Sequence, residues 1–145
     1  MNLEFEKQLS APIESVWDAL IDSEKYQRWA KAFSPNSQFT GDWQEGGSIE
    51  FSEPGRGGTR AIVEDFAPYS RMRARHVSVV RGDGSEDVES EDAKKWIGTT
   101  ETYSLRALEG STQLLVEIET HEDFGEMFKQ SWPEALELLR EVCES

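Results

Sequence analysis

The chain has 145 residues, a length that suits one domain spanning residues 1–145. Five tryptophans and seven phenylalanines supply large apolar areas for a core, which excludes an intrinsically disordered chain. The formal net charge of −14 repels phosphate groups, so we expect neither nucleic acid nor membrane surfaces as partners.

No segment near the start resembles a secretory leader, and no stretch approaches the roughly 20 apolar residues of a membrane span. The lone cysteine, Cys143, can form no intramolecular disulfide, and we interpret it as a packing or surface residue. Together these features predict a cytoplasmic protein.

The first predicted element is a half-buried strand. Leu3, Phe5 and Leu9 alternate with polar residues, which is the period-two pattern of a strand with one apolar face. Lys7 falls on the apolar side of this alternation. We therefore expect the Lys7 side chain to point inward.

Two short helices are predicted next. Pro12 opens the first helix, and apolar residues then recur at helical spacing. Asp22 ends this helix and can cap a second short helix, in which Tyr26 and Trp29 lie three residues apart. Two consecutive short helices after a first strand are a distinctive opening.

Most of the remaining chain is predicted to form sequential antiparallel strands with short turns. The predicted strands are 37–43, 48–53, 59–66, 71–80, 96–108 and 112–120. The exception is the acidic segment 82–95, which lacks an apolar period. Because the spacing of a calcium-binding loop is also absent there, we predict a solvated, mobile hairpin loop.

The last predicted element is a long helix that covers the sheet. Its apolar residues recur at intervals of three and four, at Phe124, Phe128, Trp132, Leu136, Leu139 and Cys143. Pro133 either kinks this helix or marks a second start. The predicted fold class is α+β: a curved antiparallel sheet of about six to seven strands grips the C-terminal helix, with a pocket in the concave space.

Residues 11–22 (APIESVWDALID), followed by Trp29, resemble the opening segment of a known family. That family is the START-like, birch-pollen-allergen-like helix-grip superfamily (SRPBCC), and in particular its branch of heat-shock ATPase activator homologues. Residues 43–47 (WQEGG) resemble its Gly-Gly hairpin, and Ser131 replaces the usual glycine before Trp132 in its last helix. The resemblance implies the helix-grip fold over nearly the whole chain.

Candidate site residues are those that fall on the predicted inward faces. His76 and Glu101 in an apolar cavity could perform acid–base catalysis, with the Tyr103 phenol orienting a carbonyl group. The alternative is that these groups bond to one another or only contact a ligand. The predicted ligand-binding set is Lys7, Trp17, Trp29, Met72, His76, Glu101, Tyr103, Phe128 and Trp132.

Three functions compete at this point. We favour a protein that binds a small apolar or amphipathic ligand, with no cofactor and no metal, since His76 and His121 lie on different predicted elements. A cavity enzyme of the cyclase, dehydratase or hydrolase type is the first alternative, because relatives in the superfamily include such activities. A chaperone-associated interaction module, with a protein partner or a homodimer, is the second.

Overall fold

The computed structural model describes residues 1–144. Within them, eight antiparallel strands form one curved sheet. The strands are β1 (Asn2–Leu9), β2 (Gln38–Thr40), β3 (Ser48–Glu53), β4 (Gly57–Ala67), β5 (Arg71–Val80), β6 (Glu86–Asp87), β7 (Thr100–Leu108) and β8 (Ser111–Glu119). Seven of them follow the order β1-β8-β7-β5-β4-β3-β2, and the short β6 pairs with β5 beside this path. The predicted α+β helix-grip class is confirmed.

The helices among residues 1–144 are α1 (Ile13–Ile21), α2 (Ser23–Ala30), α3 (Glu91–Trp96) and α4 (Gly125–Glu144). Asp22 separates α1 from α2, because its backbone N–H bonds to the Asp18 carbonyl while its side chain accepts from the Lys25 N–H. The prediction of two short helices after the first strand is therefore confirmed.

Helix α4 covers the concave face of the sheet and packs against β1, α1 and α2. Pro133 lies inside this continuous helix, so it does not mark a second helix start. The buried face of α4 carries Gly125, Phe128, Trp132, Ala135, Leu136 and Leu139. This apolar stripe joins the core that α1, α2, β7 and β8 form below it.

Local features of β4 bend the sheet around the helix. The register between β4 and β5 shifts between Arg60 and Ala61 and again between Val63 and Asp65. Such bulges increase the twist of a strand and bend it. At the start of β4, a Cβ atom on Gly58 would lie only 1.9 Å from the carbonyl oxygen of Phe51, so glycine permits the close approach of β3.

The acidic segment 82–95 differs from the predicted loop. It contains β6 and α3, and the Ser90 hydroxyl accepts a hydrogen bond from the Ala93 N–H at the start of α3. Ala93 is fully buried, and the acidic residues Glu91 and Asp92 lie in the first turn, where the helix dipole favours them. The missing apolar period reflects a helix too short to show one.

Two predicted strands are shorter than the pattern indicated. The strand predicted from residue 96 begins at Thr100, because Trp96 ends α3 and Gly98 turns the chain with a φ of +97°. The strand predicted over 37–43 is limited to Gln38–Thr40. In both cases apolar residues beside a turn extended the alternation without extending the strand.

Candidate ligand-binding site

A cavity of about 690 Å³ lies between the concave face of the sheet and helices α2, α3 and α4. Its volume falls within the roughly 300–1,000 Å³ of small-molecule pockets. Strands β3, β4, β5 and β7 form its floor, and the loop after α2 forms part of its rim. The cavity is thus the space that the helix leaves above the bent sheet.

Aromatic rings form much of the cavity wall. Tyr26 and Trp29 of α2 contact each other with ring centroids 4.9 Å apart, and the Trp29 ring lies 5.9 Å from that of Trp132 on α4. On the α3 side, Trp96 stacks on Phe128 at 5.9 Å. These rings hold α2, α3 and α4 together around the same apolar space.

A polar cluster lies on the sheet side of this wall. The Tyr103 hydroxyl donates a hydrogen bond of 3.0 Å to Oε2 of Glu101, and Nε2 of His76 lies 3.4 Å from Oε1 of the same carboxylate. The side chain of His76 is 2% exposed and that of Glu101 is 14% exposed. Neighbouring strands β5 and β7 bring these groups together, since Ala74 pairs with Glu101 and Met72 with Tyr103.

The phenols near this cluster are held in their neutral form. Burial, and after it the negative charge of Glu101, raises the pKa of Tyr103 well above its usual value. The same two causes raise the pKa of Tyr26. Both hydroxyls therefore keep their protons at physiological pH, and the proton of Tyr103 is donated to Glu101.

Four buried polar atoms of cavity-lining residues have no hydrogen-bond partner among residues 1–144. They are both ring nitrogens of His76 and the indole nitrogens of Trp96 and Trp132. The His76–Glu101 contact is close enough for an ion pair, but it lacks the geometry of a hydrogen bond. Leaving a buried donor unpaired costs roughly 1–3 kcal/mol, so these atoms are an energetic cost that the wall of the cavity carries.

The charged groups at the rim of the cavity are already paired. Nε of Arg56 lies 3.3 Å from Oε1 of Glu53, and Arg81 pairs with Asp87. The hydrogen bond from the Ser34 hydroxyl is the main cause that lowers the pKa of Glu53. Arg56 is 80% exposed, so its pair with Glu53 contributes little to stability.

The structure brings together most of the predicted ligand-binding residues. Those that line the cavity are Trp29, His76, Glu101, Tyr103, Phe128 and Trp132. His76 lies on the buried face of β5, together with Met72 and Ala74, as the alternation of apolar residues in that strand predicted. These six residues stay our candidates for ligand contact.

Lys7, Trp17 and Met72 do not line the cavity. Lys7 lies on edge strand β1, and its Nζ atom is 3.1 Å from Oε2 of Glu137 on α4. Its long side chain thus reaches the polar edge of the helix instead of the space beneath it. Trp17 packs against Phe66 at 5.4 Å, and Met72 is 1% exposed within the core.

The cavity residues that were missing from the predicted set include three large aromatic ones, Tyr26, Phe51 and Trp96. The available signal for Tyr26 was its position one turn before Trp29 on the same helix. Phe51 follows Ile49 by two residues on β3. Trp96 could not be placed, because the pattern assigned it to a strand although it ends α3.

His121 lies away from the cavity cluster. Its Nδ1 atom accepts a hydrogen bond of 3.0 Å from the Asp123 N–H and caps the short 3-10 turn Glu122–Phe124. Among residues 1–144, no three or more His, Cys, Asp or Glu side chains are grouped as they would be to hold a metal ion. No helix within residues 1–144 is both long enough and apolar enough to span a membrane.

The helix-grip fold is that of the START-like (SRPBCC) superfamily. Residues 10–144 match the family described as Activator of Hsp90 ATPase homolog 1-like protein, and the chain belongs to that family. The resemblance found in the opening segment and the last helix is thereby confirmed. No curated protein matches the sequence significantly.

Several solved structures share the fold. The Aha1 dimer from Colwellia psychrerythraea has a TM-score of 0.75 and 20% identity, over 99% of this chain and 96% of that chain. Protein MLL2253 from Mesorhizobium loti has a TM-score of 0.79 and 17% identity, over 99% and 97%. DynU16, from the dynemicin biosynthetic locus, has a TM-score of 0.73 and 17% identity, over 99% and 47%. At these identities the likeness shows the fold alone.

Proposed function

We propose that the protein binds a small apolar or amphipathic molecule in the cavity under α4. The observation that carries the proposal is a cavity of about 690 Å³ whose largely aromatic wall carries a few polar groups, among them His76, Glu101 and Tyr103. A mostly apolar wall with a few polar groups is typical of small-molecule sites. The fold neighbour from a biosynthetic locus is compatible with this function.

The test uses a variant that fills the cavity. Thr59 lines the cavity from β4, and Thr59→Trp places a large ring in that space. Thr40→Trp makes the same exchange at an exposed position of β2 outside the cavity lining. The neutral probes are N-phenyl-1-naphthylamine, 2-naphthol and 1-dodecanol, read by thermal shift and by fluorescence titration.

We expect at least one probe to raise the unfolding midpoint of the parent protein and of Thr40→Trp, since a ligand that binds only the folded state stabilises it by mass action. Thr59→Trp should lose most of that shift. Equal binding by Thr59→Trp would place the probes outside the cavity. If no probe shifts the unfolding midpoint even at concentrations near its solubility limit, the proposal is contradicted.

A second candidate function is catalysis in the same cavity. It is favoured by the contact of 3.4 Å between His76 and Glu101 and by the hydroxyl of Tyr103 on the same carboxylate. In this alternative the imidazole exchanges a proton with a bound carbonyl compound, and the Tyr103 hydroxyl releases Glu101 and donates its hydrogen bond to the carbonyl oxygen instead. Burial favours such chemistry because it strengthens electrostatic contacts.

Catalysis can be tested with 1-tetralone in deuterated buffer. If the alternative holds, the protein accelerates exchange of the protons next to the carbonyl carbon, as followed by NMR, and His76→Gln abolishes the acceleration. Tyr103→Phe should reduce the rate without abolishing binding. An exchange rate equal to that of buffer alone contradicts this alternative and leaves the binding proposal standing.

The third hypothesis, a protein partner or a homodimer, stays a prediction. The fold neighbour from Colwellia psychrerythraea is described as a dimer, and the family name refers to an ATPase activator. Sedimentation velocity of the purified chain over a hundredfold concentration range tests the homodimer. A single species with the mass of 16.5 kDa at all concentrations would contradict it.

A further inference from the structure

The carboxylate of Glu101 is a partly buried charge among aromatic rings. Its side chain is 14% exposed, and it faces the cavity from β7. Among residues 1–144, no Lys or Arg nitrogen lies within the 4.0 Å of an ion pair with this carboxylate. The basic group in that range is the imidazole of His76 at 3.4 Å. A charge in such surroundings favours a cationic partner, because burial without one is costly.

Aromatic rings adjoin the two residues that contact this carboxylate, His76 and Tyr103. The His76 ring lies 4.8 Å from Trp96 and 5.6 Å from Phe51, measured between centroids. The Tyr103 ring, whose hydroxyl bonds to Glu101, lies 5.9 Å from Trp132. The face of an aromatic ring carries negative potential and attracts cations. The rings and the carboxylate therefore both favour a positively charged group in the ligand.

The arginines of the cavity lie at its other end. Glu101 pairs with Ala74 in the sheet, whereas Gly58 pairs with Val80, the residue before Arg81. The six residue steps from Ala74 to Val80 span about 20 Å of strand. Arg81 and Arg56 also pair with carboxylates of their own. The backbones of both arginines thus lie far from Glu101 along the strands, and their charges are already paired.

The charge of the whole chain acts in the same direction. With 29 acidic and 15 basic residues, the protein attracts cations and repels anions in solution. Salt screens this long-range attraction, but it screens a partly buried contact much less. A binding preference that survives at physiological ionic strength would therefore report the local site.

We propose that the cavity selects ligands that carry an organic cation, an amine or quaternary ammonium group seated between Glu101 and the rings of Trp96, Trp132 and Phe51. The apolar remainder of the ligand packs against the aromatic wall. This inference rests on the proposed function, because it assigns a ligand class to the same cavity.

The experiment compares two probes that differ in charge and share their shape. Naphthalen-2-ylmethyl-trimethylammonium carries a permanent positive charge, and 2-neopentylnaphthalene is its neutral carbon isostere. Both are titrated into the parent protein by NMR at 150 mM salt, a concentration at which the Debye length is about 8 Å. The same titrations use Glu101→Gln and a control, Glu119→Gln, which removes one charge from an exposed position of β8 outside the cavity.

We expect the cation to bind the parent protein about tenfold more tightly than the neutral isostere, as a desolvated contact of this kind allows. Glu101→Gln should lose this preference while still binding the neutral isostere, which also shows that the variant is folded. Glu119→Gln should keep the preference. The anion 2-naphthylacetate should bind most weakly of all.

Equal binding of the cation and the neutral isostere by the parent protein overturns the inference and leaves the proposed function intact. A preference for the cation that persists in Glu101→Gln also overturns the inference. If neither probe binds, the inference falls together with the proposed function.

Discussion

The indole nitrogen of Trp29 donates a hydrogen bond of 2.9 Å to the carbonyl oxygen of Ala19. Trp29 belongs to α2 and Ala19 to the last turn of α1, and both are at most 2% exposed. The final carbonyl groups of a helix have no partner within it, so this bond satisfies one of them and fixes α2 against α1. Because Trp29 also lines the cavity, the bond positions part of the cavity wall.

Replacing Trp29 by phenylalanine should destabilise the protein by about 2 kcal/mol or more, because the Ala19 carbonyl becomes a buried acceptor without a donor and the ring shrinks. The measurement is the free energy of unfolding in urea. Trp43→Phe is the matched control, since the indole nitrogen of Trp43 is buried without a partner and its loss breaks no hydrogen bond. Equal costs for the two variants would show that the Ala19 bond is not important for stability.

Gly58→Ala should destabilise the protein by about 3 kcal/mol, because the new methyl group must displace the backbone of β3. Its Cβ atom would lie 1.9 Å from the carbonyl oxygen of Phe51. Gly55→Ala is the control: at a φ of +79° with open space around it, it should cost only about 1–2 kcal/mol of backbone strain. Urea unfolding checks both variants, and a Gly58→Ala protein as stable as Gly55→Ala would contradict the close approach of β3 and β4.

Glu137 should contribute to stability only above acidic pH. Its hydrogen bond from Arg140, and after it that from Lys7, lowers the pKa of the carboxyl from 4.5 to about 2. A lowered pKa in the folded state means that the contribution is present above pH 4.5 and is lost as the pH falls toward 2. Between these two pH values, the free energy of unfolding of Glu137→Gln should therefore fall less steeply than that of the parent protein.

The pairs of Glu137 are largely exposed, so the size of this effect should fall with added salt. Glu126→Gln is the control, because Glu126 lies on the same helix and is 81% exposed beside Lys129. A Glu137→Gln variant with the same acid profile as the parent protein would contradict the assigned pairs.

Cys143 should react slowly with alkylating reagents while the protein is folded. Burial, and after it the charge of Glu144, raises the pKa of its thiol from 9.0 to about 11. The thiolate is the reactive form, so its fraction at pH 8 falls about 100-fold relative to an ordinary cysteine. Iodoacetamide labelling followed by mass spectrometry should be slow in buffer and fast in urea, and equal rates would contradict the burial of the thiol.

The sequence alone was sufficient to place several residues of the candidate site. Trp132 and Phe128 share the apolar stripe of α4, and His76 shares the inward phase of β5 with Ala74. These placements follow from short-range periodicity, because a helix or strand that buries one face repeats its apolar residues at a fixed interval. The alternation in β1 also placed Lys7 on the inward face, but Lys7 pairs with Glu137 and lies outside the cavity. Periodicity predicts the face on which a residue lies, but it does not predict what covers that face.

By itself, the sequence determined the α+β class, the succession of most strands along the chain, the two short helices after the first strand, and the long covering helix, all from patterns between residues near in the chain. Only the tertiary structure decided which inward-facing residues contact one another. It places Glu101 of β7 beside His76 of β5, and it shows that Trp96, which was predicted in a strand, lies at the end of α3. Such contacts depend on register, bulges and the angle of α4, which arise when distant segments pack and leave little trace in local spacing.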